Sequence, residues 1–379
     1  MSEIELFEPL AGPHDGWPPG TAVERAYLEA FAQEGSTTLI ANLRTRMLGL
    51  RWRERVFPVT VNDAEYGDSY VALPHTAYAL YAKAELRLVG IGAAAPVLGL
   101  LADAVGLGLR AARINRIVHL DNWLVSTNLH GDWAGEGLDE IRECLTQQFP
   151  GHILAIRSLE SWSSAALLER CRAEGWRLLP SRQIYVTDDL ARDWAPRRDT
   201  RQDAKLLAQA PYQLDPMDKL APGDAERIAE LYRLLYLGRY SGLNPAFTAR
   251  YIELTHRTGL LRYRGLRDVD GRLVAVVGCW IRDGILTTPI VGYDTSLPVA
   301  AGLYRMACLL LSRMALERGA RLNSSAGAAG FKRNRGARPV IEYSAFFVEH
   351  LSWARRAAIG ALETGLNRFL VPAMAQHGW

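Results

Sequence analysis

Residues 289–336 read PIVGYDTSLPVAAGLYRMACLLLSRMALERGARLNSSAGAAGFKRNRG. The run opens as an apolar strand, Pro289-Ile-Val-Gly-Tyr-Asp294, and leaves it through polar residues and Pro298. A long, mostly apolar helix is expected over 297–318, closed by Gly319. Proline near the start and glycine just past the end are the usual marks of helix boundaries. Arg321-Leu-Asn-Ser-Ser325 then reads as a strand end, and 326–336 as a short basic helix or loop. A strand, a covering helix and another strand in direct succession indicate α/β architecture.

The same rhythm extends outward. Residues 225–240 and 247–258 predict helices. Residues 260–266, 272–282 and 284–292 predict a strand meander with turns at Asp270-Gly271 and Asp283-Gly284. Residues 340–348 read as a last strand and 351–370 as an amphipathic helix. The first half repeats the order. Leu28, Phe31, Leu39, Leu43 and Leu48 recur at roughly helical spacing across 21–56. Strands are expected at 57–61, 69–73, 116–120, 152–157, 176–179 and 183–187, and helices at 78–88, 138–149 and 165–174. Residues 188–224, with a run dense in Asp and Arg, read as a solvated connection or an exposed helix. The expected organisation is a helical extension (1–55), a first α/β unit (56–190), a linker (191–224), a second unit (225–350) and a terminal helix (351–379).

Composition agrees with two globular domains: 379 residues, 49% hydrophobic and 22% charged. A net charge of +3 does not by itself point to nucleic acid. Cys144, Cys171, Cys279 and Cys308 lack CxxC spacing, so they read as small buried hydrophobes in a reducing, cytoplasmic compartment, with no disulfide framework and no metal site. The N-terminus has no signal-peptide pattern. Residues 88–109 carry one charge, Asp103, but five glycines and Pro96 favour a buried strand or loop plus helix over a membrane span. Gly90-x-Gly92 lacks the third glycine of a dinucleotide loop, and no P-loop, zinc spacing or Ser-His-Asp signature is present.

The concentrated polar motifs lie in the second half. Tyr293 and Asp294 stand where the chain leaves a strand, the usual place for sites in α/β folds. Tyr304 and Arg305 fall in the first turns of the long helix, whose free N–H groups suit an anion or a carbonyl oxygen. Asn323 and Ser324 open a small-residue loop that lets a ligand approach the backbone. Lys332, Arg333, Arg335 and Arg338 put four positive charges in eight residues, suited to phosphate. Glu342 in an apolar strand is a candidate base, or the partner of a nearby arginine, and strand alternation turns Tyr343 to the opposite face. In the first half Asn122, Asn128, Arg157 and Arg182 read as polar strand ends that line a groove or serve structure.

The stretch from Asn323-Ser-Ser-Ala-Gly to Phe331-Lys-Arg-Asn-Arg-Gly336, followed by Tyr343, resembles the end of Fem-type acyltransferases, where a Phe-Lys-x-x-x-Gly segment leads into an aromatic strand. The coarse resemblance covers roughly residues 55–350. It implies an α/β (α+β) fold of two tandem GNAT-like units, each a mixed, mostly antiparallel sheet flanked by helices. It also implies transfer of an acyl group, often aminoacyl from tRNA, to an amine or hydroxyl acceptor, with no tightly bound cofactor. One departure bears on the donor. Ordinary acetyltransferases hold the CoA pyrophosphate on an Arg/Gln-x-x-Gly-x-Gly/Ala loop, whereas here the place reads Thr295-Ser-Leu-Pro-Val-Ala-Ala-Gly302. That favours a tRNA or carrier-protein donor over acyl-CoA.

The working expectation is direct acyl transfer. Backbone N–H groups around Gly292 to Asp294 stabilise the oxyanion, and Tyr293 or Tyr304 protonates the leaving group. Glu342 or Asp294 takes the amine proton. Arg305, Asn323, Ser324, Lys332, Arg333 and Arg335 bind the donor, and Asn122, Asn128 and Tyr343 the acceptor. A non-catalytic RNA binder using the same basic segment is disfavoured, because the run lacks interleaved aromatic residues to stack on bases. A peripheral-membrane lipid or peptidoglycan-precursor aminoacyltransferase would use the terminal stripe of Leu351, Ile359, Leu362, Leu366, Phe369 and Leu370, which more simply forms core or a homodimer surface.

Overall fold

The computed structural model describes residues 4–81 and 95–377. Twelve strands form one sheet: β1 (Ile4–Phe7), β2 (Arg46–Trp52), β3 (Arg55–Asn62), β4 (Ile117–Leu120), β5 (Ile153–Leu159), β6 (Arg177–Thr187), β7 (Gln213–Asp215), β8 (Arg262–Arg267), β9 (Leu273–Arg282), β10 (Ile285–Tyr293), β11 (Arg321–Ala326) and β12 (Arg338–Phe347). Their spatial order is β1-β2-β3-β4-β5-β12-β6-β11-β10-β9-β8-β7. Neighbours are antiparallel except β4 with β5 and β10 with β11. Read from either edge, the sheet therefore repeats one plan: three antiparallel steps, one parallel step, and an antiparallel strand from the other half.

That exchange joins the halves. β6 follows β5 in the chain but pairs with β11, and β12 follows β11 but pairs with β5. β6 and β12 pair along their length, from Arg338↔Val186 to Phe346↔Arg177. The core is shared as well. Tyr27, Phe31 and Trp123 pack in one cluster with Tyr251, Trp280 and Ile290. A cut at residue 190 or 350 would separate β6 or β12 from the strands beside it.

Several expectations change. Residues 1–55 are not a helical extension: after the helix Ala22–Glu34 they supply β1 and β2. Residues 47–50 of β2 are buried on both faces, so no alternation marks the strand. Gly49 pairs with Phe7, whose ring occupies the space a side chain would take there. Residues 69–73 form buried turns rather than a strand. Residues 176–187, expected as two strands, form one. Ser181 is the extra residue of a bulge opposite the Glu342/Tyr343 step, and the bulge accommodates Pro180 inside a central strand.

Within 191–224 the chain forms a helix exposed along most of its length rather than an irregular tether. The helix Arg198–Gln209 buries Thr200 and Asp203 against the helix Leu303–Glu317. The terminal helix Trp353–Gly365 buries Ile359, and Leu362 and Leu366 pack with it on the sheet beside Ile117, Ile153 and Phe346. Most of the stripe offered to a membrane is thus core, with Phe369 exposed. Part of the 88–109 stretch lies outside the described residues, and 95–111 is helical. Among the described residues one segment, Val299–Glu317, has the length and apolar composition of a membrane span, and half of it is buried against the rest of the chain.

Candidate active site

The parallel step in the second half is short. β10 and β11 pair only from Ile285↔Arg321 to Thr287↔Asn323, although β10 continues to Tyr293. Two local features open the gap. A bulge shifts the β9–β10 register between Thr287 and Ile290, at Pro289, which has no N–H to give a neighbouring strand. Beyond Asn323, β11 leans onto β6 through its own bulge.

The Asp294 N–H bonds to the Val274 carbonyl at 2.8 Å. Ladder alternation therefore points the amide groups of Gly292 towards β9 and those of Val291 and Tyr293 away from it, into the gap. Of the three amides expected to stabilise an oxyanion, only that of Tyr293 faces the opening, and Val291 joins it.

Aromatic side chains gather here. The π-helical segment Arg233–Tyr240 continues the helix Asp224–Tyr232 and carries Tyr236 and Tyr240. The Tyr293 ring lies 6.2 Å from Tyr304, and Tyr304 lies 5.0 Å from Phe331. The Tyr293 hydroxyl accepts from Arg239 Nη1 at 3.2 Å. Burial pushes the Tyr304 phenol well above its usual value, with the Cys308 thiol adding in the same direction. Burial also raises the Cys308 thiol to about 11. Tyr236, Tyr240 and Cys308 carried no weight in the sequence reading, although the four-residue spacing of Tyr232, Tyr236 and Tyr240 marks an aromatic helix face.

The charged residues have other work. Glu342 sits mid-sheet, opposite Arg182, and takes a two-pronged hydrogen bond from it: Nε to Oε1 at 2.8 Å and Nη2 to Oε2 at 3.1 Å. It is the partner of an arginine and not an open base. Burial pushes the Asp294 carboxyl up, but hydrogen bonds from Ser296 and Arg227 outweigh this and hold it below the usual range. Its contact with Arg227 Nη2 is 2.6 Å. Buried Asp203 receives Arg305 and Arg335, each at 2.6 Å, so two of the arginines offered to the donor instead fasten Arg198–Gln209 to the long helix and to the end of the short helix Ala329–Asn334. Arg338 pairs with Asp188, and Arg333 is exposed.

Lys332 is turned inward. Its Nζ donates to the carbonyls of Ser324, Ser325 and Ala326 at 2.7, 3.1 and 2.7 Å and holds the end of β11 in place. Burial presses its ammonium down to about 7; the Cys308 thiol opposes this and Arg182 adds to it. Asn323 is buried and accepts from the Ser325 N–H.

The acceptor residues expected in the first half are structural too. Asn122 Nδ2 donates to Thr60 Oγ1 and the Val71 carbonyl. Asn128 Oδ1 accepts from the Trp123 N–H. Tyr343 packs on the opposite face, against the first-half core.

Strand order and the parted parallel pair define a chain of two tandem GNAT-like units. No family model matches it, and no curated protein matches it in sequence. Solved structures that it is similar to include the C-terminal domain of a putative lysylphosphatidylglycerol synthetase from Agrobacterium fabrum (12% identity, 66% of this chain and 81% of that one, TM-score 0.47). FemX is another (10%, 55% and 75%, 0.42), as is a tandem GNAT protein from the clavulanic acid biosynthesis pathway (12%, 90% and 98%, 0.40). These likenesses lie at the level of general architecture, and the description of the units stands on the strand order itself.

Proposed function

We propose that this protein is an acyltransferase that moves an activated acyl group onto an amine or hydroxyl of a small acceptor, in the opening between β10 and β11. The observation that supports this most is the free edge of β10, where the Val291 and Tyr293 amides face a cleft walled by tyrosines. Fixed backbone donors aimed at a developing oxyanion are an effective way to stabilise acyl transfer. The new nitrogen–carbon bond forms as the carbon–oxygen or carbon–sulfur bond to the donor breaks. Tyr304, kept protonated by its burial, gives its proton to the leaving atom and regains one from the attacking amine through water. The amine binds neutral, because Asp294 and Glu342 are each occupied by an arginine.

Cys308 takes no covalent part, since burial keeps its thiol protonated. Cys308→Ala is expected to hold turnover within about threefold, because no bond to sulfur is made. A loss of a hundredfold or more, with a trapped acyl-enzyme in the mass spectrum, would instead mean a thioester intermediate.

The donor's phosphates do not sit at the start of the long helix in this reading. Leu206 packs over Gly302 there, and Asp203 engages Arg305 beside it. An aminoacyl ester on tRNA or an acyl carrier protein is therefore favoured over acyl-CoA. Purified protein would be offered charged tRNA or acyl-CoAs, each with an amine library, and acyl loss and product mass followed. Amine-dependent deacylation of tRNA is the expected result. Product from acyl-CoA alone would replace that donor, and consumption of neither donor would remove both.

A further inference from the structure

One face of the first half carries a buried polar band across neighbouring strands: Thr60 on β3, His119 on β4, Arg157 on β5 and Ser344 on β12. The register supports this, pairing Thr60 with His119 and His119 with Ala155, two residues before Arg157 and on the same face. The opposite face, with Val59, Val118, Leu120 and Ile156, is apolar core.

Arg157 is the unusual member. It is 9% exposed, and among the described residues no carboxylate lies within ion-pair distance of it. Its Nη1 alone satisfies three oxygens: the Val71 carbonyl at 3.0 Å, Asn122 Oδ1 at 3.1 Å and the Val125 carbonyl at 3.3 Å. These contacts fix the plane of the guanidinium. They leave Nε and Nη2, the parallel pair that grips a carboxylate or phosphate, without a hydrogen-bond partner among the described residues. Arg116 and Arg177 each seal an unpartnered Nε away from solvent, whereas Arg157 does not. His119, also buried, leaves its Nδ1 unpartnered. The Tyr70 ring lies 6.0 Å from the Arg157 guanidinium. Tyr70 also lies near enough to Tyr236 to raise its phenol, so it stands close to both the Arg157 guanidinium and the tyrosines of the cleft.

Glu342 acts on Arg157 only from beyond ion-pair distance. A buried charge without an ion-pair partner is costly in a folded protein, and a bound anion reduces that cost. We propose that the Nε–Nη2 edge of Arg157 binds an anionic group, carboxylate or phosphate, on the acceptor, so that the acceptor is an amino acid or a phosphorylated amine held by its anion with its amine directed at the β10–β11 cleft. This rests on the acyltransferase reading for the fate of the amine, but the binding itself does not need a donor.

The test is calorimetric titration of the full chain, without donor, with amino acids against their carboxamides and with phosphoethanolamine against ethanolamine. Wild type should bind at least one anionic member and not its neutral counterpart, and which pair discriminates tells carboxylate from phosphate. Arg157→Lys keeps a charge but loses the fork, and should weaken that binding on the order of tenfold or more. Arg157→Gln should abolish it, with circular dichroism confirming the fold. Equal binding of acid and amide, no binding of either anion, or unchanged binding in Arg157→Lys would each overturn the assignment. Binding as expected with no transfer from any donor would instead defeat the acyltransferase reading and leave this site standing.

Discussion

Arg182→Ala is expected to lower the unfolding free energy by about 3–5 kcal/mol, the usual cost of stranding a buried charge. The variant would leave the Glu342 carboxylate, 4% exposed, with the Ser181 hydroxyl at 3.3 Å in place of a two-pronged arginine. The site is the middle of the β6–β12 pairing, where the two halves exchange strands, so the loss is felt by the whole sheet. Arg182 Nη2 also holds the Thr127 hydroxyl at 2.8 Å, which ties the loop after β4 to the same point. Chemical denaturation measures the effect. The double variant Arg182→Met with Glu342→Leu should recover much of it, because a buried ion pair exchanged for apolar side chains of similar size is often neutral or better. The same experiment decides between the two roles the sequence offered Glu342. If Glu342→Gln kept full stability and lost turnover a thousandfold, the carboxylate would be a base and not a partner.

That ambiguity shows what a sequence can and cannot say. The periodicity of 289–336 was enough to place a strand, a long helix and a second strand, all present, and the basic segment left as helix or loop forms the short helix Ala329–Asn334. Glu342 and Tyr343 point to opposite faces, as alternation requires. Pairing was not legible. Arg305 and Arg335 lie 102 and 132 residues from Asp203 in the chain, and nothing local records that one carboxylate takes both. A run of arginines looks like an anion site when the acids that neutralise it lie in a segment read as linker. The exchange of β6 and β12 was hidden for a similar reason: strand length and apolarity fix that a strand forms, whereas its neighbours are set by the whole sheet. β2 was lost because Leu43 and Leu48 also fit a helical spacing and burial of residues 47–50 on both faces leaves no period-2 signal to oppose it. The cleft was half legible. Tyr293 and Tyr304 stand at it, while Tyr236 went unnoticed in a helix read only for its aliphatic residues and Cys308 was read only as a buried hydrophobe.

Gly292→Ala is expected to damage both fold and chemistry far more than its single methyl suggests. A Cβ at this position would meet the Leu231 carbonyl carbon and the Tyr232 nitrogen at 2.7 Å, and neither is a side chain that can swing aside. The helix Asp224–Tyr232 has to move off β10. Overpacking of this kind costs roughly 1–3 kcal/mol, and contact with backbone places it at the upper end. The helix carries Arg227, which holds Asp294 at the end of β10, and it runs on into the segment bearing Tyr236. A shift of about 1 Å there displaces the cleft wall relative to the Val291 and Tyr293 amides, and misplacement of that size can cost about a hundredfold in rate. Gly330→Ala is the matched control. It lies in the same half, a Cβ there meets nothing within 4 Å, and it replaces a helical glycine, so stability should hold or rise by up to about 1 kcal/mol. The comparison of melting temperature and kcat/KM for the two variants isolates the contact. Equal behaviour of Gly292→Ala and Gly330→Ala would mean that the seat of Asp224–Tyr232 on β10 does not set the geometry of the opening.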